Sequence, residues 1–223
     1  TLIGSKVENL KKGAIVGMGT RRYCCNECKN CRNSFEHMCL NVNERKTYGK
    51  YWGGYATQMQ QPADFFFKLS NDFKLNLGAP LFCAGATTFN PIQRFIINNE
   101  QFKNKKMNAA VCGIGGLGHV AIQFLSKLNC NVTGLTCSMN KKDLILELGA
   151  QNVIDMNNSE EIKKHADEFD FILNTLPVNK FFNELVRMCN YGGYLVQVGE
   201  ADIKDSEYEF DAFQLVFKEL HIC

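Results

Sequence analysis

The pattern of apolar positions changes close to residue 90. Beyond Asn90, short apolar runs alternate with amphipathic segments of helical length. This alternation is typical of βαβ units, in which a crossover helix joins two parallel strands and packs on the sheet. The apolar runs predict six strands, at Asn108–Cys112, Asn131–Thr136, Asn152–Asp155, Phe169–Asn174, Tyr194–Val198 and Glu219–Cys223. We therefore expect an α/β region built on a doubly wound parallel sheet.

Two amphipathic helices are predicted to follow the first two of these strands. Apolar residues recur at helical spacing in Leu117–Leu128 and again in Asn140–Leu148, which gives each segment one apolar face. Gly149 follows the second segment at the position where glycine commonly ends a helix. We expect both helices to pack on the predicted sheet.

The first part of the chain has a different texture. Short stretches such as the alternating Thr57–Gln61 are separated by glycine turns, a pattern that favours β-strands. We therefore predict an all-β domain over residues 1–86, interrupted by a cysteine-rich loop at 24–39, and an α/β domain over residues 87–223. Both chain ends lie in segments that resemble strands, so we expect the chain to continue beyond Thr1 and Cys223.

Composition excludes several classes of protein. The 45% share of hydrophobic residues is that of an ordinary folded globule. Lys and Arg number 25 and Asp and Glu 23, a net charge of +2 that gives no reason to expect nucleic acid or an anionic membrane as a partner. The longest apolar stretch, Ala109–Leu125, contains four glycines, so we expect no membrane span. We also find no secretory signal at Thr1.

The cysteines indicate a metal site. Their total of 11 is odd and several are clustered, which argues against a disulfide framework and for a reducing compartment, so we expect a cytosolic protein. Cys25, Cys28, Cys31 and Cys39 have the spacing C-x2-C-x2-C-x7-C, which allows four thiolates to surround a tetrahedral Zn²⁺. A site closed by four thiolates leaves no position for water or substrate. We therefore predict a structural zinc ion.

Two alternatives for this loop remain open at the level of sequence. One alternative is that the four cysteines are unpaired or disulfide-bonded. The other is that they hold an iron–sulfur cluster, although the spacings of ferredoxins differ. Cys24 and His37 lie close to the four cysteines in sequence. We interpret both as loop residues rather than as zinc ligands.

A glycine-rich turn indicates a dinucleotide site. The residues Gly113-Ile114-Gly115-Gly116-Leu117-Gly118 have the form G-x-G-x-x-G, which is weak evidence when it stands alone. Here the motif follows a predicted strand and opens a predicted helix, as it does in the Rossmann fold. The first glycine allows the tight turn, the second lets the backbone approach a pyrophosphate, and the third allows the helix to pack closely. The helix N-terminus then faces the phosphates.

The end of the second predicted strand favours NADP(H) over NAD(H). An NAD site normally has Asp or Glu there to bind the ribose 2′-hydroxyl. This chain instead has Thr136, Cys137, Ser138 and Lys141, and the nearest acidic residue, Asp143, lies inside a predicted helix. Hydroxyls and a cation suit a 2′-phosphate. Ser138 is also a candidate helix N-cap, and it can serve both purposes.

These features occur together in one order along the chain. The four-cysteine loop is followed by the stretch Leu81–Thr87, the glycine turn and the segment Thr136–Lys141, and residues 53–55 and 169–175 fit the same pattern. In that combination the chain resembles the zinc-dependent medium-chain alcohol dehydrogenases, and within them the cinnamyl-alcohol-dehydrogenase-like aldehyde reductases. The resemblance covers nearly all 223 residues.

The resemblance implies a fold, an activity and a set of site residues. The fold is a partial GroES-like all-β domain over residues 1–86 and an incomplete Rossmann NADP-binding domain over residues 87–223. The activity is hydride transfer between NADP(H) and a primary alcohol or aldehyde at a catalytic zinc, for which Cys83 is implied as one ligand. The implied coenzyme contacts are Thr87, Gly113, Ile114, Gly115, Gly116, Leu117, Gly118, Thr136, Cys137, Ser138, Lys141, Thr175 and Gly199.

The catalytic zinc site is incomplete in this sequence. The family's other ligands, a cysteine and a Gly-His-Glu motif, are expected in a segment before Thr1, and His37, His119, His165 and His221 stand in no such motif. Two alternatives therefore remain: an inactive relative serving as a structural or NADP-binding subunit of a larger assembly, and an NADPH:quinone reductase without catalytic zinc. For the enzyme, the family implies a homodimer formed through the last strand of the sheet.

Overall fold

The computed structural model describes residues 2–41, 53–103, 105–200 and 207–223. The chain divides into two compact units, Thr1–Cys83 and Ala84–Cys223. The parallel sheet lies entirely in the second unit. Within the described residues, no helix combines the length and the apolar character that crossing a bilayer requires.

The first unit is built mainly from short turns. Strand β1 (Val16–Gly17) pairs antiparallel with β2 (Phe67–Lys68), and these are its only strands in the described part of the chain. Its helical segments are α1 (Lys29–Arg32), α2 (Leu75–Gly78) and 3₁₀ turns at Glu36–Met38, Ala63–Phe65 and Ala79–Phe82. Each segment is a single turn or little more, so the unit depends on its loops for its shape.

No strand forms over Thr57–Gln61, although the alternation of residue types predicts one. Residues 57–60 are all exposed, so neither face of this stretch is buried. A strand is held in register by burying one of its faces. The prediction was wrong here because alternation without a buried face does not specify a strand.

The second unit contains a six-stranded parallel sheet in the order β5-β4-β3-β6-β7-β8. The strands are β3 (Asn108–Cys112), β4 (Asn131–Thr136), β5 (Asn152–Asp155), β6 (Phe169–Asn174), β7 (Cys189–Gln197) and β8 (His221–Ile222). The first four have the predicted bounds. Strand β7 begins earlier than predicted because Cys189 pairs with Phe169 across a register shift, and β8 is shorter because it is an edge strand that pairs only with β7.

Helices cover both faces of this sheet. They are α3 (Ala84–Ile92), α4 (Gly118–Lys127), α5 (Lys142–Glu147), α6 (Ser159–Lys164), α7 (Phe182–Met188) and α8 (Ala212–Phe217). A π-helical turn at Gln93–Ile97 extends α3, and 3₁₀ turns lie at Glu100–Phe102 and Met139–Lys141. The two predicted helices correspond to α4 and to the 3₁₀ turn with α5, so both are confirmed.

The sheet is buried on both faces. Val111 of β3 belongs to a core cluster with Ile122 and Leu125 of α4, whereas its neighbour Cys112 belongs to a second cluster with Leu185 of α7. Successive side chains of a strand point to opposite faces. A parallel strand between two helical layers therefore needs apolar residues at every position, which is why these strands are continuous apolar runs in the sequence.

The strand order places a switch point beside β3. From β3 the chain proceeds outward to β4 and β5 on one side, and then returns to β6 on the other side. The two connections leave the carboxyl edge of the sheet in opposite directions, which opens a crevice there. In sheets of this kind ligands bind at that crevice.

A buried lysine, Lys218, connects the segment between α8 and β8 to the C-terminus of α7. The side chain of Lys218 is 4% exposed and forms an ion pair with Asp167. Its Nζ also donates to the carbonyl oxygens of Arg187 (2.9 Å) and Cys189 (3.2 Å), at the C-terminus of α7. A cation at a helix C-terminus satisfies carbonyls that have no partner within the helix. Lys218 therefore fastens the end of α8 to the junction between α7 and β7.

Substitution of Lys218 by Met tests that role. The variant leaves the two carbonyls and Asp167 without their buried partner, so we expect the free energy of unfolding to fall by about 2–3 kcal/mol. The matched control is Lys163→Met, because Lys163 forms an exposed pair with Glu160 and exposed pairs contribute little. Urea unfolding followed by circular dichroism measures both variants. Equal shifts of the two midpoints would contradict the assignment.

Candidate functional site

Four cysteine thiols form a compact cluster in the first unit. The Sγ atoms of Cys25, Cys28, Cys31 and Cys39 all lie within 4.8 Å of one another, the only such group of potential metal ligands in the described residues. The Sγ of Cys31 lies 3.5 Å from that of Cys28 and 3.9 Å from that of Cys25. Four thiolates bound tetrahedrally to zinc at about 2.3 Å are separated by roughly 3.8 Å. The cluster therefore has the size of a zinc coordination shell.

The local backbone turns these thiols inward. Cys28 is the N-cap of α1 and Cys31 lies three residues later on that helix, so their side chains share one face. The 3₁₀ turn that follows returns the chain to Cys39. Asn26 and Ser34 adopt left-handed conformations, with φ of 57° and 62°, and these reverse the chain on either side of α1. The loop is thus folded around the point at which the four thiols meet.

Backbone amides favour ionisation of part of the cluster. The amide of Cys25 donates to the Sγ of Cys39 (3.4 Å), and backbone hydrogen bonds lower the pKa of Cys39 and lower that of Cys28 to about 6. Burial, together with the hydrogen bond that it shares with Cys28, raises the pKa of Cys31 to about 12. A divalent cation would offset the mutual repulsion of four thiolates. The donor set and its charge therefore suit a zinc ion.

Cys24 and His37 lie outside this cluster. The Cys24 thiol points to the side-chain oxygen of Asn26, at 2.9 Å. The ring of His37 meets that of Phe35 edge-on, with centroids 5.9 Å apart. These positions agree with the interpretation of both as loop residues.

We predict that Cys31→Ser abolishes zinc binding at this cluster. Serine lacks the thiolate that Zn²⁺ prefers in a closed site of this kind. Cys31 is buried, and its sulfur contacts those of Cys25 and Cys28. Metal analysis of the purified variant measures the loss, expected to be about one zinc ion per chain relative to the wild type. Cys24→Ser is the matched control, since Cys24 is adjacent in sequence but outside the cluster. Retention of zinc by Cys31→Ser would contradict the site.

The turn after β3 is as tight as its motif predicts. Gly113 has a φ of +85°, which residues with a side chain rarely adopt, and its amide donates to the Leu135 carbonyl of β4 (3.0 Å). A Cβ on Gly118 would lie 2.1 Å from the carbonyl oxygen of Gly113. Helix α4 therefore begins in direct contact with the turn, and only glycine at 118 allows this.

The middle of the turn faces open space. Gly115 and Gly116 are exposed, and a Cβ on either would meet no atom within 4 Å. They precede Leu117, the N-cap of the 10-residue helix α4, and the amides of His119, Val120 and Ala121 donate to carbonyl oxygens of this turn. A phosphate placed at Gly115 and Gly116 would face the positive end of the helix dipole. This open turn at Gly115 and Gly116, the glycine cradle, therefore fits the pyrophosphate of a dinucleotide.

The loop after β4 offers a hydroxyl and a cation beside this cradle. Ser138 is exposed, and its side chain makes no capping hydrogen bond although it occupies the N-cap position of the following 3₁₀ turn. Its amide donates instead to the Oγ1 of Thr136 (3.1 Å). The Nζ of Lys141 donates to the carbonyl oxygen of Ile114 in the glycine turn (3.3 Å). The ammonium group thus lies against the predicted phosphate site, and Asp143 lies within α5.

Asn157 supports this loop and was not found from the sequence. Its Nδ2 donates to the carbonyl oxygen of Cys137 (2.9 Å) and to the carboxylate of Asp155 at the end of β5 (3.1 Å). No spacing or motif in the sequence relates residue 157 to residue 137. The contact arises because β4 and β5 are neighbours whose carboxyl ends share one edge.

Thr175 and Gly199 lie on the other side of the switch point. The Thr175 hydroxyl lies 3.0 Å from the carbonyl oxygen of Cys112 and 2.5 Å from that of Gly113, so it holds the glycine turn. A Cβ on Gly199 would lie 2.2 Å from the carbonyl oxygen of Leu176. The structure therefore brings both residues to the carboxyl edge that carries the glycine turn.

The structure does not bring Cys83 and Thr87 into a site. Cys83 is the last residue of the first unit, exposed, and belongs to no group of potential metal ligands among the described residues. Thr87 is half-buried in α3 of the second unit. The roles that the family resemblance implies for these two residues stay predictions.

Two family models match the chain. The model described as "Alcohol dehydrogenase GroES-like domain" matches residues 2–71, and the model described as "Zinc-binding dehydrogenase" matches residues 116–223. The first covers the cysteine cluster, and the second begins at Gly116, within the glycine turn. The two matches thus lie on the two units that carry the candidate sites.

Individual relatives agree with these matches. The chain is 33% identical over 223 residues to a probable formaldehyde dehydrogenase of Bacillus subtilis, covering 97% of this chain and 61% of the relative. It is 31% identical over 223 residues to an NADP-dependent alcohol dehydrogenase of Mycolicibacterium smegmatis, with the same coverage. The chain therefore spans about three fifths of the length of these relatives.

A solved structure shows the same fold. A cinnamyl alcohol dehydrogenase from Sorghum bicolor superposes with a TM-score of 0.83 at 24% sequence identity, covering 99% of this chain and 62% of that one. At this identity the likeness establishes the fold. The partial GroES-like domain and the Rossmann sheet expected from the sequence are both confirmed.

Proposed function

The chain belongs to the zinc-dependent medium-chain alcohol dehydrogenases, and on that premise we propose that the protein transfers hydride between NADP(H) and a primary alcohol or aldehyde. The observation that carries the proposal is the pairing of an open glycine cradle with the Lys141 ammonium at the carboxyl edge of the sheet. The NADP-dependent alcohol dehydrogenase and the probable formaldehyde dehydrogenase among the relatives support this choice of coenzyme and substrate class.

The proposed coenzyme site extends across the switch point. The exposed backbone at Gly115 and Gly116 would bind the pyrophosphate, because that surface is open and lies at the N-terminus of α4. Ser138 and Lys141 would bind the 2′-phosphate. The Ser138 hydroxyl makes no capping hydrogen bond, and the Lys141 ammonium lies beside the glycine cradle. Bound NADP(H) supplies the hydride, while these residues orient it.

We propose that the remaining coenzyme contacts follow the family pattern. Thr136 ends β4 and Cys137 follows it, so both would lie beside the adenosine half. Thr87, Thr175 and Gly199 would lie towards the nicotinamide. Support comes from the position of Thr175 and Gly199 at the carboxyl edge of the sheet. Ile114 and Leu117 complete the glycine turn between Gly113 and Gly118.

The two proposed metal sites differ in how well this chain can form them. The cluster at Cys25, Cys28, Cys31 and Cys39 fits a structural zinc ion, which would hold the loop and take no part in chemistry. Cys83 is one thiol, and a catalytic zinc needs three protein ligands. The described residues do not complete that second site.

We further propose a cytosolic homodimer with its domain boundary after residue 86. The cytosolic location rests on eleven cysteines that are all free thiols, which a reducing compartment maintains. The homodimer rests on the family resemblance. The boundary rests on the change in hydrophobic pattern, and the division into compact units after Cys83 supports it.

The proposal is tested by following NADPH oxidation. We expect the zinc-loaded full-length protein to oxidise NADPH in the presence of aromatic or medium-chain aldehydes, with NADH as the less effective coenzyme. Absence of turnover with zinc fully loaded would reject the enzyme. Binding of NADPH without turnover would instead indicate the inactive NADP-binding relative, and turnover of quinones but not aldehydes would indicate a quinone reductase.

Lys141→Met tests the choice of NADP(H) over NAD(H). The variant removes the cation expected at the 2′-phosphate, so we expect the Kd for NADPH to rise about tenfold, since a charge-assisted hydrogen bond contributes about 1.5–3 kcal/mol before solvent screening. The Kd for NADH should change little, because NADH has no 2′-phosphate. The matched control is Lys142→Met, one residue further along on α5. Fluorescence titration gives the Kd of each variant for NADPH and for NADH. An equal loss of affinity for both coenzymes in Lys141→Met would contradict a role of Lys141 in binding the 2′-phosphate.

A further inference from the structure

Two amide side chains form a closed pair at the carboxyl edge of the sheet. Asn174 is the last residue of β6 and is fully buried, and Gln197 is the last residue of β7 and lies beside it in register. The Nδ2 of Asn174 donates to the Oε1 of Gln197 at 2.6 Å. Both strands are otherwise largely apolar here, so the pair is a polar contact between a buried strand end at Asn174 and a half-buried one at Gln197.

The free ends of the two amides hold the loops that leave these strands. The Nε2 of Gln197 donates to the carbonyl oxygens of Leu176 (2.9 Å) and Gly199 (2.7 Å). The Oδ1 of Asn174 accepts from the amide of Leu176 (3.2 Å). Every side-chain nitrogen and oxygen of the pair is therefore used. The result is an amide clamp, defined by Asn174 and Gln197, that connects the loop after β6 to the loop after β7.

The clamped loops are in close contact with each other and with the glycine turn. A Cβ on Gly199 would lie 2.2 Å from the carbonyl oxygen of Leu176. A Cβ on Gly113 would lie 2.7 Å from the Cδ2 of Leu176, and the Thr175 hydroxyl bonds the turn directly. A shift of the loop after β6 would therefore alter the surface beside the glycine turn.

The position of the clamp relates it to one half of a dinucleotide. Such a ligand lies across the switch point, with one nucleotide over each half of the sheet. The glycine cradle, Ser138 and Lys141 lie at β3 and β4, which form the half proposed for the adenosine. Strands β6 and β7 form the other half, so their loops lie where the nicotinamide nucleotide is expected.

Resting on the proposed function, we propose that the Asn174–Gln197 amide clamp is a positioning element for the nicotinamide half of NADP(H). It fixes the separation of the loop at Thr175–Leu176 from Gly199, and thereby the surface on which the nicotinamide rests. Hydride transfer depends steeply on such placement. Loss of the clamp therefore weakens binding of the whole coenzyme and slows hydride transfer, while the adenosine end of the site is unaffected.

Gln197→Met tests this role in the full-length protein. Methionine has nearly the size of glutamine but cannot donate to Leu176 or Gly199. We measure the Kd for NADPH and for 2′,5′-ADP, which carries the 2′-phosphate but no nicotinamide, by titration calorimetry. We expect the Kd for NADPH to rise about tenfold, equivalent to about 1.4 kcal/mol, and the Kd for 2′,5′-ADP to stay within about twofold.

Kinetics give a second readout. We expect kcat for aldehyde reduction to fall about tenfold, and the primary isotope effect with coenzyme deuterated at nicotinamide C4 to increase, because hydride transfer becomes more rate-limiting. Gln197→Glu is the second variant. It can still accept from Asn174 but cannot donate to the two carbonyls, so it should show the same selective loss if Gln197→Met does not fold.

The matched control is an amide pair at the opposite edge of the sheet. The Nδ2 of Asn131 donates to the Oδ1 of Asn108 at 2.9 Å, at the amino ends of β4 and β3. Asn131→Leu should reduce the melting temperature as Gln197→Met does, but leave both dissociation constants and the isotope effect unchanged. That comparison separates positioning from a general loss of stability.

The outcomes distinguish this inference from the proposed function. If the wild type binds neither NADPH nor 2′,5′-ADP, the proposed function fails and the clamp's role fails with it. If the wild type binds both and Gln197→Met binds NADPH and transfers hydride normally, the positioning role alone is overturned. An equal loss of NADPH and 2′,5′-ADP binding in Gln197→Met also overturns it, because the effect would then not be confined to the nicotinamide end.

Discussion

The close approach of α4 to the turn after β3 is the constraint on which the second unit depends. The two backbones meet at Gly118 and Gly113, at a distance that leaves no space for a Cβ. This contact directs the helix N-terminus and the open face of Gly115 to the carboxyl edge of the sheet. The carboxyl ends of the other strands lie around that point. Ser138 and Lys141 follow β4, and the amide clamp lies at the ends of β6 and β7. The site is therefore a consequence of how one helix packs on one strand.

The first unit has short secondary-structure elements and a cluster of cysteine thiols in place of a sheet with helices on both faces. Its strands are only two residues long, and its cysteine loop contains helical segments of a single turn. Such short elements gain little from cooperative hydrogen bonding. The thiols of Cys25, Cys28, Cys31 and Cys39 instead offer a cross-link through an ion, and binding energy at such a site is folding energy. The second unit is thus organised by an apolar core, whereas the cysteine loop of the first unit offers four thiols that an ion would cross-link.

Both candidate sites could be predicted from the sequence to the extent that local spacing determines them. The cysteine cluster depends on a loop of fifteen residues, and the glycine turn on six, so each motif contains most of the geometry that it specifies. The strands β3 to β6 were predicted with their observed bounds because both of their faces are buried, which leaves a continuous apolar run. Thr57–Gln61 failed because alternation was present without a surface to bury it. The role of Cys83 depends on residues that the described chain does not place beside it.

The sequence by itself determined which residues can bind a metal ion, which turn can accept a phosphate, and which segments form the buried sheet, because each of these depends on residue type and short spacing. Only the tertiary structure decided which side chains from different strands and loops contact each other. It placed Lys141 against Ile114, Asn157 on the loop of Cys137, and Asn174 beside Gln197. These contacts follow from strand order and register, and no local pattern encodes the order in which strands assemble into a sheet.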